Sequence, residues 1–197
     1  MEIKNTAAVI LAAGISARMK TPKALLGFKP GVTFLEKIAS VYFQWGCSEI
    51  IAVANEATAG LMKKILSLPA HASIIVNDHL EYERFYSLKL GLEKVKEAEF
   101  CFFQNVDNPF IDEDILNAIY NCRSGDAFVS PVFEGQGGHP VLLNRKNMDF
   151  IRNYHINDAN LKLVLNGLTC KKVELSDNKV LININSPEEY ERIFSKR

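Results

Sequence analysis

The stretch Ala7-Ala8-Val9-Ile10-Leu11-Ala12-Ala13-Gly14-Ile15-Ser16-Ala17-Arg18-Met19-Lys20-Thr21-Pro22-Lys23 reads as a buried strand running into a loop of small residues. Its first five residues are apolar without alternation, which is the mark of a strand covered on both faces. Similar runs return at Ile50-Ile51-Ala52-Val53, Ser73-Ile74-Ile75-Val76 and Phe100-Cys101-Phe102-Phe103. Between them, Leu35, Ile38, Ala39 and Tyr42, then Phe85, Leu88, Leu92 and Val95, and then Ile115, Leu116 and Ile119 recur at three- or four-residue spacing, which predicts amphipathic helices. Strand and helix alternating in this way predict an α/β, Rossmann-like, doubly wound sheet, mostly parallel, with helices on both faces. Ligands of such sheets bind beyond the carboxyl ends of the strands.

The pattern loosens after Asp126. Ala127-Phe128-Val129 and Pro140-Val141-Leu142-Leu143 flank a glycine-rich stretch and suggest an antiparallel pair, making the sheet mixed at its C-terminal part. Two short helices and two late strands should follow. Ser186, Pro187 and Glu189 read as the capping box of a last helix, which explains Ser186 without chemistry. No repeat or linker interrupts the chain, so a single domain over residues 1–197 is expected.

Composition narrows the function. The 197 residues carry 23 basic and 23 acidic side chains and are 48% hydrophobic, enough for one core and without the basic excess that draws nucleic acid polymers or membranes. The four cysteines, Cys47, Cys101, Cys122 and Cys170, are far apart and form no metal or disulfide pattern, and Cys101 reads as a core residue. No apolar run approaches the roughly 18 residues that span a bilayer, and the N-terminal apolar segment is too short for a signal peptide, so a cytoplasmic protein is expected. The zero net charge conceals asymmetry. Lys4, Arg18, Lys20, Lys23 and Lys29 precede Leu35 with no acid after Ile3, whereas Glu97, Glu99, Asp107, Asp112, Glu113 and Asp114 cluster without a base. The fold is expected to bring a basic loop and an acidic segment to one crevice.

The loop after the first strand carries the chemistry. The small residues Ala12, Ala13 and Gly14 let a ligand approach backbone N–H groups, and Arg18 and Lys23 add positive charge suited to phosphate. There is neither a GxxxxGK[ST] nor a GxGxxG pattern, so the loop is not an ordinary nucleotide motif; read alone, it is a phosphate cradle or a solvated basic loop. Asp107, after an apolar strand, fits a Mg²⁺ ligand and equally fits the turn chemistry of Asp-Asn-Pro. Asn183 and Asn185 are two apart in what reads as a strand, so both amides should face one way. His71, His79 and His155 have no visible partner in sequence.

Leu-Ala-Ala-Gly-x-Ser-x-Arg-Met-x-x-Pro-Lys resembles the signature loop of the MobA-like nucleotidyltransferases, whose members include enzymes that attach CMP or GMP to molybdenum cofactor. Val106-Asp107-Asn108-Pro109, Gly138-His139-Pro140 and Ile182-Asn183-Ile184-Asn185-Ser186-Pro187 are similar, in order, to later segments of that family. The resemblance implies nucleotide binding by Leu11, Ala12, Ala13, Gly14, Arg18 and Lys23, with Asn55 and Asp78 at positions that contact base or ribose. Ser87 and Gly91 resemble the Ser-Leu-x-x-Gly-Leu helix beside the nucleotide. It also implies metal ligation by Asp107 and Asn185, the latter an amide where many relatives have Asp. Gly138 and His139 become candidates for acceptor contact, with a structural role for His139 equally open. Lys20 stands where relatives usually have Gly.

The resemblance implies transfer of an NMP group from a nucleoside triphosphate to a small phosphorylated acceptor, with Mg²⁺ as cofactor and pyrophosphate released. Arg18, Lys23 and Asp107 are the catalytic candidates. An ionised phosphate nucleophile needs no Ser/His/Asp triad, so positioning and charge stabilisation suffice. Ala13 leans toward CTP and the Asn-x-Asn segment toward GTP; CTP is favoured, with molybdopterin as acceptor. A guanylyltransferase, a sugar-phosphate nucleotidyltransferase, and a nucleotide-binding sensor without turnover are the alternatives.

Overall fold

The computed structural model describes residues 4–16, 18–19 and 21–194. Lys20 lies outside them, so the crowding expected from it is not addressed. β1 (Lys4–Ala12) is followed by a 3-10 turn at Lys23–Leu25 and a small antiparallel hairpin, β2 (Gly27–Lys29) and β3 (Val32–Thr33). Then come α1 (Phe34–Trp45), β4 (Cys47–Asn55), α2 (Glu56–Ile65), β5 (Ala72–Asn77), a 3-10 turn at Leu80–Tyr82, α3 (Glu83–Lys94), β6 (Phe100–Asn105) and α4 (Glu113–Asn121). The C-terminal part contributes β7 (Phe128–Phe133), β8 (Gln136–Gly137), β9 (Val141–Asn144), α5 (Arg145–Arg152), α6 (Leu161–Asn166), β10 (Cys170–Glu174), a 3-10 turn at Asn178–Leu181 and α7 (Pro187–Phe194).

The main sheet runs β10-β7-β9-β6-β1-β4-β5, with β8 paired to β7. β6, β1, β4 and β5 are mutually parallel, whereas β9 joins both β6 and β7 antiparallel, with Val129 opposite Leu142. The mixed sheet is thus present, and all four early runs are strands.

The unbroken apolarity of β1 has the expected cause. Ala8, Ile10 and Ala12 enter a core with Phe34, Leu35 and Ile38 of α1 and Ile115, Leu116 and Ile119 of α4. Ala7, Val9 and Leu11 enter a second core with Phe85, Leu88 and Leu92 of α3 and Met148 and Ile151 of α5. Burying both faces of one strand stabilises by roughly 1.5–3 kcal/mol for each large side chain taken from water, and it pins β1 at the centre of the sheet. Its carboxyl end, and the loop that follows, therefore have a rigid base.

Two local expectations change. The Ile182–Asn185 segment is not a strand. The 3-10 turn ends at Leu181 and α7 begins at Pro187, leaving too little chain for a ladder; instead the Ile184 N–H donates to the Asp107 carbonyl at 2.8 Å. Ile184 is buried and Asn183 is exposed, so the two amides are not presented side by side. A helix absent from the sequence reading, α2, starts at Asn55, whose side chain caps it by accepting from the Thr58 N–H at 2.9 Å. The expected capping box of α7 is present: Glu189 N–H donates to Ser186 Oγ, and Glu189 Oε2 accepts from Ser186 N–H.

Candidate functional site

At the carboxyl ends of β1, β5 and β6 lies a crevice of about 540 Å³. Its wall includes Leu11, Ala12, Ala13, Gly14, Ile15, Ser16, Arg18 and Lys23 from the first loop, Ser87 from α3, Asp107 after β6, and Asn185 before α7. Thus most of the residues singled out in the sequence meet in one place, although they are up to 174 positions apart in numbering, from Leu11 to Asn185.

The loop is shaped by short-range polar bonds. Ser16 has φ 53°, a left-handed conformation, and its carbonyl accepts from Met19 N–H at 2.7 Å. Its hydroxyl accepts from Lys23 N–H at 3.3 Å, closing the loop onto the 3-10 turn. From the other side Asn55 Nδ2 donates to the Ala13 carbonyl at 3.1 Å. Nothing lies within 4 Å of the place a Cβ would take on Gly14, so the backbone there is open to a ligand.

Lys23 joins the loop to the two other segments. Its Nζ donates to Asp107 Oδ2 at 2.9 Å and to Asn185 Oδ1 at 2.7 Å. The Asp107 backbone is held by the Ile184 amide, and Asn185 N–H donates to Glu189 Oε2 at 2.6 Å, so the capping box of α7 fixes this amide in the crevice. Asp107 Oδ1 is buried without a hydrogen-bond partner. An orphaned carboxylate oxygen beside a second oxygen donor is a costly arrangement unless a cation completes it, and it fits a hard divalent ion that takes its remaining ligands from phosphate and water. The turn chemistry of this segment is real as well: Asn108 N–H donates to the Asn105 carbonyl, and Asn108 Nδ2 reaches the Val180 carbonyl.

Other candidates are placed differently. Asn55 is buried and committed to Ala13 and to the cap of α2, so it supports the loop after β1 rather than lining the crevice. Asp78 is exposed and outside the wall, because β5 ends one residue earlier and turns Asn77 inward. Ser87 lines the crevice, accepting from Asn77 Nδ2 at 2.9 Å and donating to the Glu83 carbonyl. Gly138 packs against the Val180 backbone so closely that a Cβ would collide with it. His139 stands behind Asn105, not in the wall, and burial pushes its imidazole down to about 4.

Only part of the charge asymmetry reaches the crevice. Among the described early bases, Arg18 and Lys23 line it, while Lys4 lies 3.6 Å over the Trp45 ring at the start of β1 and Asp112 caps α4. The sequence reading missed Asn77, Leu80, Glu83, Arg84 and Asn105, which also line the crevice. Asn77 and Asn105 are the last residues of parallel strands, so the strand-end rule that selected Asp107 also points to them. Glu83 and Arg84 became visible only when the turn into α3 was in place.

Comparison with known proteins identifies the family and the fold. The MobA-like NTP transferase domain model matches residues 8–173. A protein of Natranaerobius thermophilus named "Probable molybdenum cofactor guanylyltransferase" is 26% identical, with 95% of this chain and 94% of that protein covered. A Clostridium perfringens protein with the same name is also 26% identical, with 99% and 98% covered. Rv0371c of Mycobacterium tuberculosis H37Rv, solved in complex with manganese, shares the fold with a TM-score of 0.78 at 22% identity and 98% and 99% coverage.

Proposed function

The chain belongs to the MobA-like NTP transferase family and is a nucleotidyltransferase, and from that premise we propose that it moves GMP from GTP to the phosphate of molybdopterin, releasing pyrophosphate. The observation that carries this reading is the convergence of Arg18, Lys23, Asp107 and Asn185 on one crevice at the carboxyl ends of parallel strands. An acceptor phosphate oxygen attacks the α-phosphorus in line; the new P–O bond forms as the bond to the bridging oxygen breaks, and the electron pair leaves with pyrophosphate. The bare backbone at Gly14 admits the phosphates, and Arg18 and Lys23 neutralise the charge that accumulates on the leaving group. Asp107 and Asn185 would hold Mg²⁺, which supplies charge neutralisation across the phosphates. Rv0371c, which shares the fold, was solved in complex with manganese, and this accords with a divalent ion as cofactor. A cytoplasmic location accords with a nucleoside triphosphate substrate.

The choice of GTP rests on the names of the two relatives, which align over nearly the whole chain, and on the amide at Asn185. Arg84 in the crevice wall adds donors suited to the O6 and N7 acceptors of guanine. Ala13, buried in the loop, supports CTP as the second reading.

Pyrophosphate release with each of four nucleoside triphosphates, Mg²⁺ and molybdopterin tests the proposal. Release with GTP is expected. Release with CTP alone transfers the assignment to the second reading, and binding without release in every combination identifies a sensor. Lys23→Ala and Asp107→Ala should each lower turnover by about 100-fold or more with unchanged circular dichroism, the scale seen when one stabilising group is removed from a reacting centre.

A further inference from the structure

The ammonium of Lys23 stands where a cation shared by Asp107 and Asn185 would stand. It is 2.9 Å from Asp107 Oδ2 and 2.7 Å from Asn185 Oδ1, and the three side chains come from the loop after β1, the end of β6 and the residue before α7. Both partners of the ion pair are largely withdrawn from water, with 16% and 20% of the Lys23 and Asp107 side chains exposed, so solvent screens it less than a surface pair. A divalent ion on this carboxylate, through the orphaned Oδ1 or through Oδ2, that also takes Asn185 Oδ1 at about 2.0–2.5 Å would stand only a few ångströms from the ammonium, where two cations repel strongly. Meanwhile Arg18, in the same crevice, makes no ion pair with them.

The backbone of Lys23 is tied down, since its N–H donates to Ser16 Oγ and it opens the 3-10 turn. Its side chain can therefore swing while its base stays fixed. A triphosphate entering the crevice offers that ammonium a stronger partner than one carboxylate and one amide. We propose that Lys23 is the resident counter-cation of the Asp107–Asn185 oxygen pair in the nucleotide-free enzyme, and that its transfer to the triphosphate opens the pair to the metal. Metal entry is thereby coupled to nucleotide entry: the free enzyme excludes a divalent ion, and the metal and nucleotide are taken up together. This role rests on the nucleotidyltransferase reading and adds to it an order of assembly.

Titration of the nucleotide-free full chain with Mn²⁺, followed by the electron paramagnetic resonance of the free ion, tests the coupling without turnover. Lys23→Met should bind Mn²⁺ at least about tenfold more tightly than the wild type, because removing the ammonium leaves an uncompensated carboxylate. The Lys23→Met/Asp107→Asn double variant should lose that gain, and Arg18→Met should stay near wild-type affinity, which separates direct pairing from the general field of the crevice. Thermal unfolding gives a second reading: Mn²⁺ alone should raise the melting temperature of Lys23→Met and leave that of the wild type unchanged. Equal Mn²⁺ affinity in wild type and Lys23→Met overturns the proposal, as does a gain that survives Asp107→Asn or appears equally in Arg18→Met. Failure of GTP to bind the wild type with Mn²⁺ would instead count against the assigned substrate, so the two ideas fail separately.

Discussion

The Nε2 atom of His139 lies 2.9 Å from the Asn105 side-chain nitrogen, joining the loop before β9 to the end of β6. Asn105 is in the crevice wall and His139 is not, so the imidazole acts on the site through the amide. The ring also packs edge-on against Phe103, with centroids 5.7 Å apart. His139 is thus placed to orient Asn105 rather than to meet an acceptor in the crevice.

Loss of this contact should be visible as coupling. His139→Leu and Asn105→Ala are each expected to lower kcat/KM by roughly tenfold, and the double variant should be no worse than the weaker single, as for two residues acting as one unit. Independent, multiplicative losses in steady-state kinetics would show that His139 does not act through Asn105.

The same imidazole makes stability depend on pH. In the unfolded chain it gains a proton near 6.5, whereas burial delays protonation in the folded chain to about 4. Between those values the unfolded state binds the extra proton, so the contribution is fully present above pH 6.5 and is lost as pH falls toward 4, on the order of 3 kcal/mol in all. Urea midpoints of wild type and His139→Gln should therefore converge or cross as pH drops from 7 to 4. A difference constant over that range would remove His139 as the source.

Gly91 sets the approach of α3 to the sheet. A Cβ there would strike Val9 Cγ1 and come within 3.1 Å of Val9 Cγ2 and 3.2 Å of Val53 Cγ2. Both valines are completely buried, so neither can yield cheaply. Overpacking costs typically 1–3 kcal/mol, against a helix-propensity gain of about 1 kcal/mol for Ala over Gly. Gly91→Ala should lower the urea midpoint at constant slope; a raised midpoint would show that α3 moves freely.

Glu83 carries the opposite kind of constraint. It opens α3 with φ 53° and ψ −147°, a conformation that glycine adopts without penalty. Glu83→Gly should stabilise the protein by about 1 kcal/mol through release of this strain, seen as a higher melting temperature. Its side chain lines the crevice, so the KM for the nucleoside triphosphate should change in the same variant. A lower melting temperature would mean that contacts of Glu83 outweigh its backbone cost.

Much of the site was legible because it is local in sequence or follows from strand direction. The Leu11–Lys23 loop joins a buried strand to a basic turn, and Asp107 follows a parallel strand, so both could be placed at a crevice before any contact was known. Asn183 and Asn185 were read by alternation as neighbours on a strand, but alternation requires a ladder partner, and the single Ile184–Asp107 hydrogen bond does not supply one. Asp78 was selected where Asn77 turns inward, because strand ends are uncertain by a residue or two and one residue reverses the face.

By itself the sequence determined the doubly wound sheet, the burial of β1 on both faces and the small-residue loop beside charged groups, since periodicity and residue type act over short distances along the chain. Tertiary structure decided which charges meet. Lys4 went to Trp45, Asp112 to the cap of α4, and Lys23 to Asp107 and Asn185. Coulombic and hydrogen-bond energies depend on separations of a few ångströms, and across 84 or 162 residues only the packed fold sets those separations.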